Sequence, residues 1–375
     1  MKKILWLAHE GNMSGANICL LEYLQILQQK GFQNYLICPH EGGAMATRAG
    51  ELGIPVYCIK HYSWARHLYA PKKHLIARLR RSLRNVIASR QIADLIKKLQ
   101  PAYVVTNTIT TPVAARAARA THTKHVWMVH EFGEEDHGFT IAGSFTKGAT
   151  IMNRLSAKIV FNSKAVAEKY QAFVPKDKQY FVNNAVMVPE VEIEAYKQND
   201  QLKLILLGQL APSKNHLEAL QAVKICSNKG VNISLSITGK PENMAYHQSL
   251  LAFIQNEGLL ECIHFTGQVA QPAMVLSQHQ ALLMCSHREA FGRVTVEALK
   301  CGLPVIAANT GGSLEIIEEA VNGYFYKAGD AADLAGKIQL LYENYQLFNR
   351  LAIAKHAREK YNEINTGLQL LEVFR

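Results

Sequence analysis

Residues 289–312 read EAFGRVTVEALKCGLPVIAANTGG, and they follow the apolar run ALLMC of residues 281–285. The run predicts a buried strand ending near Ser286. Gly292 then opens a helix that Gly302 closes, and Pro304–Ala308 starts the next strand. Strand, helix and strand in so short a span is the pattern of a parallel sheet covered by helices. Glu289 falls in the strand-to-helix loop, beside the outward-facing amides of Phe291, Gly292 and Arg293 at the positive end of the helix. Glu297 lies more than a turn further on. At 1.5 Å rise per residue the two carboxylates are separated by on the order of 10 Å. That is wide for the acid and nucleophile of a retaining glycosidase, which approach within about 5.5 Å. It suits two contacts on one elongated ligand.

The same pattern extends in both directions. Strands are expected at residues 4–8, 35–38, 56–59, 103–106, 126–130 and 158–161. They resume at 203–208, 232–238, 263–267, 281–285 and 304–308. Between the two sets lies VPEVEIEAYKQNDQ, residues 188–201, polar and poorly periodic. The expected organisation is therefore an N-terminal Rossmann-like domain of residues 1–187, a linker of residues 188–201 and a second Rossmann-like domain of residues 202–360. A C-terminal helix of about 361–375 is expected to pack back on the first domain. A chain of 375 residues suits two domains. Two such sheets would face each other across a deep cleft, with ligands at the carboxyl ends of their strands.

The composition, 49% hydrophobic and 19% charged, is that of a folded protein without low-complexity tracts. The apolar part of MKKILWLAHE ends at His9-Glu10, too short for a signal-peptide core, so it reads as a first strand. No window approaches the roughly 18 uncharged apolar residues that a membrane span needs. Seven cysteines without a CxxC pair fit a reducing cytoplasm. The net charge of +11 is concentrated, since residues 60–125 hold fourteen Lys and Arg against one acid, Asp94. Within PKKHLIARLRRSLRNVIASR, Leu75, Leu79, Leu83 and Val86 share a helical face, with Arg78, Arg81 and Arg84 largely elsewhere; Trp64 lies just upstream. Such a basic amphipathic helix with nearby aromatics fits an anionic membrane surface. A helix that docks its apolar face on the sheet is the alternative. Nucleic acid is not expected, because no zinc-finger, RNP or helix-turn-helix signature accompanies the charge.

A nucleotide sugar is a ligand of the required length, with ribose hydroxyls, a diphosphate and sugar hydroxyls in sequence. Further turns fit phosphate. HEGNMSGAN after the first strand has Gly11 and Gly15 in a tight turn before a helix, although GxxxG is not a dinucleotide fingerprint. Over residues 204–326 the chain resembles the retaining GT-B glycosyltransferases that include bacterial lipopolysaccharide, capsule and phosphatidylinositol sugar transferases; EAFGRVTVEALKCGLPVIA resembles their E-x7-E motif in nearly every position. The resemblance implies that Glu289 contacts donor-sugar hydroxyls, aided by the amides of Phe291 and Gly292, and that Glu297 holds the ribose. LLGQLAPSKNH resembles the loop carrying a basic pair on the diphosphate. Lys214 matches the second member of that pair, and Gln209 stands where the first is normally Arg. FTGQV resembles the segment that reads the base, around Val269, and VWMVHEF the strand ending in a His beside the donor sugar, here His130.

HEFGEEDH lacks the paired His of HExxH, and there is no DxD, so no metal or other cofactor is expected. Positive amides and Lys214 can stabilise the leaving diphosphate without Mg²⁺, and either another residue supplies the cation that Gln209 lacks or the site runs with one. Retention without an enzymic nucleophile implies, by the same resemblance, front-face attack through an oxocarbenium-like state, with the departing phosphate accepting the proton. The expected activity is a retaining hexosyl transfer from a nucleoside-diphosphate sugar, UDP before GDP. The acceptor is a hydroxyl of a lipid-linked or membrane-associated glycan of a surface polysaccharide, at the inner membrane face. A nucleotide-sugar 2-epimerase and a non-catalytic basic protein that binds membrane or RNA on the same scaffold are the alternatives.

Overall fold

The computed structural model describes residues 1–68, 75–193 and 201–375, with side chains at all of these except 75–78. It forms two compact units, Met1–Ala185 with Glu363–Arg375, and Val186–Asn362. The first holds strands β1 (Lys3–Leu7), β2 (Gln33–Cys38), β3 (Val56–Cys58), β4 (Arg66–His67), β5 (Tyr103–Asn107), β6 (Lys124–Val129), β7 (Phe139–Thr140), β8 (Lys158–Phe161) and β9 (Gln179–Phe181). Seven of them make a parallel sheet in the order β3-β2-β1-β5-β6-β8-β9, and β4 pairs with β7 in a small antiparallel ribbon. The strands are nearly continuous apolar runs because both faces are covered. On one face Leu20, Tyr23, Leu24 and Leu27 of the helix Gly15–Gln29 pack with Leu370, Val373 and Phe374 of the C-terminal helix Glu363–Phe374. Phe374 seals that face edge-on to Trp6 and Tyr103, at ring distances of 5.6 and 5.3 Å. On the other face lie Ala88, Ile92, Leu95 and Ile96 of the helix Leu75–Leu99.

The second unit holds β10 (Leu202–Leu207), β11 (Ile233–Thr238), β12 (Ile263–Gly267), β13 (Ala281–Met284), β14 (Val305–Ala308) and β15 (Gly323–Tyr326), parallel in the order β12-β11-β10-β13-β14-β15. In each sheet the chain first runs outward to one edge and then returns to the other side of its starting strand. The reversal falls between β1 and β5 in the first unit and between β10 and β13 in the second. Loops that leave the carboxyl ends at such a point diverge and open a crevice for a ligand.

The boundary differs from the expected 187/188. Val186 belongs to the core of the second unit, and Val188 and Val191 pack against it. The ammonium of the buried Lys300 also donates to the carbonyls of Val186 at 2.8 Å and Tyr361 at 2.6 Å. Apolar residues spaced through residues 186–191 thus make the start of the expected linker part of a core. Residues 194–200 of that linker lie outside the described residues.

Candidate functional site

At the reversal point of the second unit, two loops interlock. The loop after β10 ends in a single 3-10 turn, Pro212–Lys214, followed by Asn215 in the left-handed region at φ 52°. The loop after β13 brings His287 to it, whose backbone N–H donates to the carbonyl of Ser213 at 3.0 Å. Lys214 Nζ then donates to Glu289 Oε2 at 2.7 Å, with side chains 33% and 18% exposed. The Gly-Gly pair of the opening stretch supports this loop from below. Gly312 N–H donates to the Glu289 carbonyl at 2.7 Å, and a Cβ on Gly311, itself at φ 60°, would stand 2.2 Å from that oxygen. Only glycine allows so close an approach in that conformation.

The helix Arg293–Lys300 begins at Gly292, which is left-handed at φ 91° and caps the helix with no side chain; its first turn contains no acid. Gly292 itself thus offers the first-turn amides no side-chain cap, and their own turn holds no neutralising carboxylate. Phe291 is buried edge-on against Tyr361 at 5.9 Å, which fixes the entry to the helix. Arg293 Nη2 lies 3.9 Å from Glu297 Oε1, one turn along, with side chains 14% and 18% exposed. Gln209 is exposed just past β10, and Val269 half-buried just past β12.

The reversal point of the first unit is organised by Asn107, at the end of β5. Its amide donates to Ala16 O at 3.0 Å, and its Oδ1 accepts from His130 Nε2 at 2.8 Å. Nε2 therefore carries the proton in this bond. Tyr23 stacks on that ring at 6.4 Å. The backbone N–H of His130 donates to Glu131 Oε2 at 2.8 Å, and that of Ile109 to Oε1 at 3.0 Å. Burial raises the Glu131 carboxyl, against the Ile109 amide that lowers it. Gly15 opens the helix Gly15–Gln29, and Asn17 shapes the turn before it by donating to the carbonyls of Glu10 and Asn12. The acids of HEFGEEDH are used locally. Asp136 accepts from the amides of Phe132 and Gly133, and Lys169 pairs with Glu134 and Glu135. Among the described residues no group of three or more His, Cys, Asp and Glu could hold a metal ion.

Residues 190–360 match the family Glycosyl transferases group 1, and residues 13–188 match Glycosyltransferase Family 4. The chain carries both glycosyltransferase domains. The capsular polysaccharide biosynthesis glycosyltransferase CapM of Staphylococcus aureus is 27% identical over 164 residues, 43% of this chain and 42% of that protein. An N-acetyl-alpha-D-glucosaminyl L-malate synthase of Bacillus anthracis is 29% identical over 31% of this chain and 30% of that protein. The chain thus spans less than half the length of these curated relatives. Among solved structures, Anabaena Alr3699/HepE in complex with UDP superimposes with a TM-score of 0.79 at 20% identity, covering 100% of this chain and 99% of that one. The lipopolysaccharide outer core galactosyltransferase WaaB gives 0.77 at 15% identity over 99% and 98%. The fold is that of the GT-B glycosyltransferases.

In the group 1 domain, Lys214, Phe291, Gly292 and Arg293 gather around Glu289 at one reversal point, with Glu297 reached through Arg293. Sequence reasoning missed Glu218 there. This carboxylate, 4% exposed in the first turn of the helix His216–Asn228, accepts from the Asn215 side-chain amide and, at 3.3 Å, from the Tyr326 hydroxyl. Burial raises its carboxyl, opposed by the Tyr326 bond and by the amides at Gly329 and Asp330. It thereby fixes the left-handed residue that follows Lys214. In sequence it is an ordinary first-turn acid, and only the folded sheet brings Tyr326 to it.

In the family 4 domain the helix Leu75–Leu99 does not bury its whole apolar face. Its second half docks on the sheet, while Leu79, Leu83 and Ile87 are 64%, 58% and 55% exposed, flanked by the exposed Arg81 and Arg84. The side chain of Arg78 lies outside the described residues. Trp64 is half-buried and turned inward, its indole N–H donating to Ile109 O at 2.7 Å and its ring stacked on Trp127 at 6.2 Å. Among the described residues no helix is long and apolar enough to cross a membrane.

Proposed function

We propose that the protein is a retaining, metal-independent glycosyltransferase that moves a hexosyl group from a nucleoside-diphosphate sugar, UDP in preference to GDP, to a hydroxyl of a membrane-associated or lipid-linked glycan in surface-polysaccharide synthesis. The observation that carries this reading is the pairing of Lys214 with Glu289 beside the start of the helix Arg293–Lys300, whose first turn holds no acid. A cation and a row of helix-end amides are what a leaving diphosphate needs, and the adjoining carboxylate suits the hydroxyls of the sugar it leaves. Glu297 accepts from the ribose, Val269 lies by the base, and His130 is assigned to the donor sugar. As the glycosidic bond breaks, negative charge grows on the diphosphate oxygen and positive charge on the sugar ring. Lys214 and the first-turn amides stabilise the first, and Glu289 the second. The phosphate oxygen then takes the proton of the incoming hydroxyl, so the sugar is received on the face that the leaving group vacates.

The membrane side of the proposal rests on the exposed Leu79, Leu83 and Ile87 beside Arg81 and Arg84. Apolar side chains flanked by cations suit an anionic leaflet, and this supports a site of action at the cytoplasmic membrane surface. The decisive experiment is thermal unfolding with UDP-glucose, UDP-N-acetylglucosamine, UDP-galactose and GDP-mannose. A nucleotide sugar at a hundred times its Kd should stabilise the fold by about 2.7 kcal/mol. Slow hydrolysis of the same donor should be seen without acceptor. No stabilisation by any of them would remove the proposed function.

A further inference from the structure

Resting on the donor-site reading above, the geometry points to the guanidinium of Arg293 as the second cation of the diphosphate site, a role that Gln209 cannot supply. Three observations lead to it. Arg293 is the first residue of its helix, and no acid stands in that first turn to offset it. The macrodipole disfavours a cation at that end, so the residue breaks a local rule, as residues at binding sites do. Its side chain is nevertheless only 14% exposed and is held 3.9 Å from Glu297, instead of extending into water as an unused surface arginine would. Finally, the hydroxyl of Thr295, two residues on and fully buried, has no hydrogen-bond partner among the described residues. It lies 3.1 Å from where a Cβ on Gly292 would be, at the start of the same helix.

The charge balance argues the same way. Lys214 and Arg293 each stand against one carboxylate, Glu289 and Glu297, whereas Gln209, exposed on the neighbouring loop, is neutral. The loops that carry Gln209 and Arg293 leave adjacent strands, β10 and β13, and are tied by the His287 to Ser213 bond. A diphosphate over the helix start would thus meet Lys214 from one loop and the planar fork of Arg293 from the other. Guanidinium suits this role because it can donate two parallel bonds to one phosphate.

The test separates a phosphate contact from a structural one by comparing UDP with uridine. In the Arg293→Gln variant UDP should bind at least tenfold more weakly while uridine binding is unchanged, and Arg293→Lys should recover part of the loss. Adding Gln209→Arg to Arg293→Gln should restore UDP affinity by supplying the cation from the other loop. Equal losses for UDP and uridine would overturn the proposal, as would UDP binding unaltered in Arg293→Gln, or a double variant no tighter than the single one. If Arg293→Gln does not fold, Arg293→Lys with the same two ligands decides, and an unchanged UDP-to-uridine ratio would overturn it. A wild-type protein that binds neither UDP nor GDP would instead count against the donor-site reading itself.

Discussion

Glu289→Gln and Lys214→Ala should move nucleotide affinity in opposite directions, because the two side chains hold each other in the ligand-free protein. The pair is 2.7 Å long with side chains 33% and 18% exposed. Ion pairs with that much solvent contact contribute about 0.2–1 kcal/mol. To reach a diphosphate, Lys214 gives up that amount and gains a charge-assisted bond of about 1.5–3 kcal/mol. Lys214→Ala therefore removes a net of about 0.5–2.8 kcal/mol, or roughly a 2- to 100-fold loss of UDP affinity. Glu289→Gln removes only the competitor. UDP should then bind as well as before, or up to about fivefold tighter, while turnover falls because the carboxylate that faces the developing glycosyl cation is gone. Isothermal titration with UDP, steady-state turnover and urea unfolding read the three quantities. Unfolding free energies should change by less than about 1 kcal/mol in either variant. A Glu289→Gln protein of native stability that loses UDP affinity tenfold would refute the competition, and a Lys214→Ala protein that binds UDP normally would take Lys214 out of the site.

Gly311→Ala should damage both stability and activity, because a left-handed alanine costs roughly 1–2 kcal/mol and its Cβ would meet the Glu289 carbonyl 2.2 Å away; a variant with native melting temperature and turnover would show that the loop does not need this support. Acid should destabilise the family 4 domain through His125, fully buried between Thr106 and Ser156 and pushed down to about 3. Below its unfolded value near 6.5 only the unfolded chain gains the proton, so stability present at neutral pH is lost as pH falls from about 6.5 towards 3, by up to about 1.4 kcal/mol per unit. His125→Gln should flatten that slope in urea melts, and an unchanged slope would clear the residue. Reversing Arg78, Arg81 and Arg84 to Glu should abolish sedimentation with anionic vesicles while leaving UDP affinity intact, since each cation contributes about 1 kcal/mol at such a surface; a variant that still sediments would assign the helix to a solvated role. A divalent chelator should leave the transfer rate unaltered, and loss reversed by Mg²⁺ would disprove the metal-free mechanism.

Local pattern makes parts of this molecule legible and topology hides the rest. Lys158–Phe161 coincides with its expected strand because KIVF is a short, mostly apolar run, and Ile263–Gly267 because Ile263 and Phe265 alternate with polar residues before a glycine. β9 and β15, QYF and GYFY, escape notice because neither contains a β-branched residue of the kind that marks KIVF. Glu289 and Lys214 are legible one at a time through the motifs around them. Their contact is not, because it joins residues 75 apart through the pairing of β10 with β13. The surroundings of Trp64 are hidden for a related reason. An aromatic beside a basic helix suggests an interface, but whether it faces out depends on Ile109 and Trp127, which arrive from the loop after β5 and from β6. Arg293 is the instructive case. Its position at a helix start can be read from Gly292 alone, and a cation there opposes the dipole. A sequence that places an arginine where its own helix repels it, and a glutamine where a cation belongs one loop away, has moved the charge across the crevice instead of losing it.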